Sequence, residues 1–338
     1  DLLSNTQVVV QEGNQIQAQA RISSEKIKSK RSVEPKKLAI SHGEPLQYSE
    51  DAPKTLAELL QRTAHNSTKG IVYIQSDATE KNQSYRELWH DAQRISGGLR
   101  KLGLKPQDKV ILQLDDNQDF ISAFWGCVLG GFVSVPVSIA PTYDQVNSIT
   151  SKLQNVWQML GKPLVLAGAS LAPKIRGLSS LLNLENFQVE TIDKLRDCEP
   201  DFNWHSSEPE DLAVLLLTSG STGVPKAVMQ SHGSLIGRCA GTTAMNGFTS
   251  SDVSLNWLPL DHVGGIIMFH VRDVYLSCEQ IHAPTELVLQ QPTRWLDWIS
   301  HYQTTITWAP NFAYGLINEQ LETLKKQATP RWDLSKMR

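Results

Sequence analysis

Cysteine, aromatic residues and net charge are all scarce in this sequence. The four cysteines, Cys127, Cys198, Cys239 and Cys278, form no Cys-x-x-Cys pair. That argues against a disulfide framework and a thiolate metal site, and favours a reducing cytoplasm. Cys127 and Cys239 sit among small and apolar neighbours and read as buried hydrophobes. The nine histidines are scattered without metal-ligand spacing. A net charge of −3 supplies no basic field for nucleic acid. No apolar run is long and unbroken. The longest, 120–140, is interrupted by Gly126, Gly130, Gly131 and Pro136, and reads as a buried helix followed by a strand, not as a membrane span. The first residues are polar, unlike a secretory signal. What remains is an ordinary globular composition, 338 residues with 40% hydrophobic, enough for a large core in two lobes.

Residues 1–53 are polar and mixed in charge, and read as a leader or linker. Order is expected from Thr55, an N-cap with Glu58 three residues on. Apolar strands are expected at 70–74, 108–114, 132–137 and 163–167, alternating with helices at 84–102, 119–130 and 147–160. A breaker-rich stretch, 197–210, separates these from a second series. That series has strands at 212–217, 253–257 and 305–308, and helices at 233–246, 265–276 and 293–302. The alternation predicts an α/β fold, two packed lobes with mainly parallel sheets flanked by helices, at 54–195 and 205–338.

The strand ending at Leu217 runs into Thr218-Ser219-Gly220-Ser221-Thr222-Gly223, followed by Val224-Pro225-Lys226. Glycine lets backbone approach a ligand closely, successive N–H groups form an anion-binding concavity, and the hydroxyls add donors. Lys226 adds a positive charge after the stiff Pro225. A Walker A loop would need Gly-Lys-Ser/Thr, and Ala227 follows the lysine here. The alternative is a Gly/Ser connector between two strands; the apolar strand feeding the loop and the Pro-Lys exit argue against it.

This stretch, with Ser231-His232 after it, resembles the signature of the adenylate-forming superfamily, which includes acyl-CoA synthetases, nonribosomal-peptide adenylation domains and fatty acyl-AMP ligases. The resemblance implies that Thr218, Ser219, Gly220, Ser221, Thr222, Gly223 and Lys226 contact the ATP phosphates, with Mg²⁺ offsetting their charge. Leu258-Pro259-Leu260-Asp261-His262-Val263-Gly264-Gly265 is similar to the family's His-containing turn, and implies substrate contacts at His262 and Gly264. Gln83-Ser84-Tyr85-Arg86 and Gly126 to Pro136 resemble further family segments, read as packing features. Pro310-Asn311-Phe312-Ala313-Tyr314 resembles the fatty acyl-AMP ligase branch and adds Asn311, Phe312 and Tyr314 as pocket residues. Trp295, Trp298 and Tyr302 read as one buried helix face.

The implied function is ATP-dependent activation of a carboxylic acid as an acyl-adenylate. Transfer to phosphopantetheine on a carrier protein in a peptide or polyketide synthase would follow. The rivals are a CoA ligase and a non-catalytic scaffold. The family's Tyr-Gly-x-Thr-Glu turn, hinge and lid lysine do not occur in the sequence, so the chain is expected to be a fragment that does not complete adenylation alone.

Overall fold

The computed structural model describes Ile40 and residues 43–48, 51–218, 226–324 and 332–338. The chain divides into two units, Asp1–Pro45 and Leu46–Arg338. In the first, Ile40 and residues 43–45 carry no regular structure. Every described helix and strand belongs to the second unit. Its strands are β1 Gly70–Ile74, β2 Glu80–Ser84, β3 Lys109–Gln113, β4 Val133–Pro136, β5 Leu164–Ala167, β6 Val189–Thr191, β7 Leu212–Thr218, β8 Lys226–Ser231, β9 Val253–Asn256 and β10 Glu279–His282.

Two sheets form, in the orders β6-β5-β3-β4-β7-β8 and β2-β1-β10-β9. Each is parallel apart from one antiparallel edge strand, β8 in the first and β2 in the second. The α/β architecture with helix-flanked, mainly parallel sheets is therefore as expected. The division at 195–205, however, is no boundary between sheets. β1 pairs with β10, Ile71 facing Gln280, and β7 joins β4 through Ser134 and Val214. Periodicity identifies a strand but not its partner, so a split by sequence order missed this interleaving. The strand expected at 305–308 is reduced to a single bridge between Ser254 and Ile306.

Local chemistry sets the helices that brace the sheets. Ser84 and Glu87 close a capping box at helix Tyr85–Lys101, with Ser84 N donating to Glu87 Oε2 at 2.7 Å. The helix Asn117–Gly130 is capped by Asp116 and ends at Gly131, whose φ of 73° suits glycine. A Cβ on Gly126 would come within 2.4 Å of Ile95 Cγ2, so the glycine is what lets these two helices touch. Phe120, Phe124, Trp125 and Leu129 join Tyr85, Leu88 and Ile95 in the main core. Trp295 is buried, and Trp298 and Tyr302 pack partly buried against the same cluster, so the predicted helix face holds.

Candidate active site

The turn after β9 is shaped by one side chain. Asn256 Oδ1 accepts from Leu258 N at 2.9 Å, while its Nδ2 donates to Leu258 O at 3.2 Å. The chain then folds back through Pro259, whose carbonyl accepts from His262 N at 3.2 Å. His262 is exposed, and its Nδ1 accepts from Gly264 N at 3.1 Å. Of the glycines that follow, Gly265 is required by backbone proximity and Gly264 sits close to side chains. A Cβ on Gly265 would lie 2.3 Å from Pro259 O, and one on Gly264 would lie 3.2 Å from Trp308 Cη2. Asp261 turns the other way and accepts from Ser138 Oγ at 2.5 Å.

The helix expected at 265–276 is not uniformly α. Gly264–Val271 is π-helical, and only Arg272–Leu276 is α. Sequence periodicity could not show this, because the run is apolar on all sides.

Two cavities lie nearby, one lined by the helix after the turn and one by the turn itself. One, of about 530 Å³, lies between helix His232–Asn246, the π-helix and Thr305–Trp308; Ile267, Met268, Arg272 and Trp308 line it, with Arg238 and Arg338. Arg272 is buried between the rings of Phe248 and Phe269, at 5.3 and 5.1 Å. Its guanidinium is held by Asp273 at 2.7 Å and by Ser254 Oγ at 3.0 Å. Burial pushes the Asp273 carboxyl up to about 6, against the pull of Arg272. The second cavity, of about 750 Å³, collects the C-terminal ends of strands from both sheets and is acidic, with Asp115, Asp116, Asp193, Asp261 and Glu286 in its wall. Carboxyl ends of parallel strands are where α/β sheets bind ligands.

Of the expected phosphate contacts, Thr218 and Lys226 are both exposed and face each other across the β7–β8 pairing. Ser219, Gly220, Ser221, Thr222 and Gly223 lie outside the described residues. His232 opens the next helix, and its Nδ1 accepts from Leu56 N at 3.2 Å. Burial pushes this ring down to about 4. The expected turn at Asn311 is instead the first turn of helix Asn311–Leu324. Phe312 and Tyr314 are exposed there, with Tyr314 against Trp295 at 5.4 Å. Asn311, Phe312 and Tyr314 line neither cavity. Sequence reading overlooked Arg272 and Asp273, although a charged pair inside an apolar run is itself a signal.

Among the described residues no group of three His, Cys, Asp or Glu could hold a metal ion, and no helix is long and apolar enough to cross a membrane.

Known proteins resemble this chain. The chain is 31% identical to the nonribosomal peptide synthetase atrA of Aspergillus terreus over 83% of its own length and 30% of that protein. It matches the structure of McyG A-PCP complexed with phenylalanyl-adenylate, with 46% identity and TM-score 0.82, covering 86% of this chain and 45% of that one. It also matches the adenylation domain of a keto acid-selecting nonribosomal peptide synthetase module bound to a keto acyl adenylate. That match has 43% identity and TM-score 0.80, and covers 85% and 52% of the two chains. Fatty acid AMP ligases are among the similar solved structures as well. The chain thus spans about a third to a half of these three proteins. Residues 60–338 match the family model described as AMP-binding enzyme, and the chain belongs to that family.

Proposed function

We propose that the protein containing this chain activates a carboxylic acid with ATP as an acyl-adenylate, releasing pyrophosphate, and passes the acyl group to the phosphopantetheine thiol of a carrier protein. The observation that carries this reading is the 530 Å³ cavity walled by the π-helix that follows the β9 turn. Thr218, Lys226 and the glycine-rich residues between them contact the phosphates in this reading, with Mg²⁺ carried on the triphosphate. Catalysis then rests on positioning and charge stabilisation of an in-line attack on the α-phosphate. The acid-side residues are Ile267, Met268 and Trp308 of the cavity wall; His262, Gly264, Asn311, Phe312 and Tyr314 stay proposed as acid-side residues on the resemblance alone, since none of them lines this cavity. A carrier acceptor is supported by the similarity to an A-PCP structure.

The lining also favours one class of acid. Every charged residue in that wall is an arginine, whereas Asp261 is engaged with Ser138 at the other cavity. An ammonium group would find no carboxylate there, so a keto, hydroxy or simple carboxylic acid fits better than an amino acid. The similarity to a keto acid-selecting domain agrees with this, whereas the similar McyG structure holds phenylalanyl-adenylate, so the exchange assay decides between the classes. The test is ATP–pyrophosphate exchange by the full-length protein with matched keto, hydroxy, fatty, aryl and amino acids. Exchange with keto or other non-amino acids, abolished by Lys226→Ala, is expected. Silence with every acid overturns the function, and preference for amino acids overturns the class. Product analysis with CoA against a carrier protein separates the two acceptors.

A further inference from the structure

A chain of buried polar side chains connects the π-helix to the β9 turn. Trp125 Nε1 donates to His270 Nε2 at 2.7 Å. An indole N–H can only donate, so the His270 proton sits on Nδ1 and is given to Gln280 Oε1 at 2.9 Å. The same oxygen takes the Nε2 proton of His282 at 3.0 Å, leaving His282 Nδ1 to accept from Asn256 Nδ2 at 3.2 Å. Gln280 Nε2 donates to Tyr85 OH at 2.7 Å, and Tyr85 OH donates to Cys278 O at 2.5 Å. Each donor meets an acceptor in this one arrangement, with both imidazoles neutral and fully buried. The far end is Asn256, the residue that shapes the Leu258 turn. The near end is His270, inside the π-helix, where one extra residue per turn changes which side chains face each way.

We propose that His270 is a positioning residue. Tied to Trp125 and Gln280, it fixes the π-helical register of Gly264–Val271, and so decides that Ile267 and Met268 face the 530 Å³ cavity. It thereby sets acid selectivity without touching the acid. This rests on the cavity being the acid site, and the test separates the two claims. His270→Asn, which can keep the bond to Gln280, His270→Phe, which keeps neither bond, and Trp125→Phe are made in the full-length protein. Exchange kinetics are expected to show kcat/KM ratios between acids shifted on the order of ten- to a hundredfold, through KM for the acid, with KM for ATP unchanged. His270→Asn should retain more of the native ratio than His270→Phe. Amide hydrogen exchange is expected to quicken across 258–271 and stay unchanged across 164–191. An equal fall in kcat for every acid, or loss of amide protection spread over both segments, overturns the proposal. If the unaltered protein is silent with all acids, the function fails, and amide exchange alone decides: local loss in 258–271 supports the positioning role, and unchanged protection overturns it. Should His270→Phe fail to fold, Trp125→Phe, which removes the indole donor together with part of its buried volume, carries both measurements.

Discussion

The six-stranded sheet is filled at its centre with Val110, Ile111, Leu112, Val133, Val135, Val165, Leu166 and Val214, all buried. The four-stranded sheet buries Ser254, Asn256, Gln280 and His282 in its paired strands β9 and β10, alongside Leu255 and Ile281. Shape and volume dominate the first sheet, whose buried Ser134 bonds Ala213 O and whose buried Gln113 bonds Val137 O and Tyr143. In the second, side chains of neighbouring strands bond one another in a chain, and each bond fails if its partner is lost. Apolar packing tolerates many arrangements of similar volume, while a satisfied polar network accepts few. The polar sheet is also the one that carries the Leu258–Gly265 turn and the π-helix. Geometry is thus fixed most tightly next to the candidate acid cavity.

This contrast can be broken in order of size. Ile111→Ala, in the centre of β3, should cost about 3–4 kcal/mol by urea unfolding and leave acid preference untouched. A shift in preference would show that the apolar sheet also tunes the cavity. Acidification should act on the polar sheet. Burial holds His270 down to about 4, so below the ordinary histidine value of about 6.5 the unfolded chain takes up a proton that the folded chain refuses. Stability from this ring is complete above pH ~6.5 and falls by up to about 3 kcal/mol as the pH drops toward 4. His232, on the helix after β8, is also lowered to about 4 and adds a similar loss. Urea midpoints taken across this range should fall steeply for the unaltered protein and less steeply for His270→Asn. An equal slope in both would remove the network from the explanation.

His282→Leu is a smaller change. It leaves Asn256 and Gln280 each short of one partner and should cost about 2 kcal/mol, more than its apolar volume suggests. A stabilised variant would mean that the sheet prefers to be dry. Smallest of all, Ser84→Ala at the β2 edge removes one cap of helix Tyr85–Lys101 and should cost about 1 kcal/mol, read as a shift in thermal midpoint.

The apolar sheet was legible in advance, because β3, β4, β5 and β7 are continuous hydrophobic runs. Its edge, β8, was not, since Lys-Ala-Val-Met-Gln-Ser carries neither a clean alternation nor an apolar run. The polar sheet was half legible. β1 and β9 were expected, but Glu-Lys-Asn-Gln-Ser in β2 and Glu-Gln-Ile-His in β10 look like surface. Gln280 and His282 are buried because they satisfy each other, and no single-residue scale contains that fact. The candidate site followed the same rule. The glycine-rich loop was read from its residues and the His262 turn from a family resemblance, and Gly265 is explained by its closeness to Pro259. The cavities and the Arg272–Asp273 pair needed the fold, because their walls come from segments far apart in sequence.

The parallel pairing of β1 with β10 has a consequence for the order in which the protein is made. Ile71 leaves the ribosome some two hundred residues before Gln280, its partner. At ~5–20 residues per second, the β1–β2 hairpin therefore waits about 10–40 s with its inner edge unpaired. Glu80 and Lys81 charge its outer edge, the side on which a nascent chain could otherwise stack against a neighbour. The hairpin is thus protected on the edge that stays open in the finished protein. During synthesis its exposure lies on the edge reserved for β10.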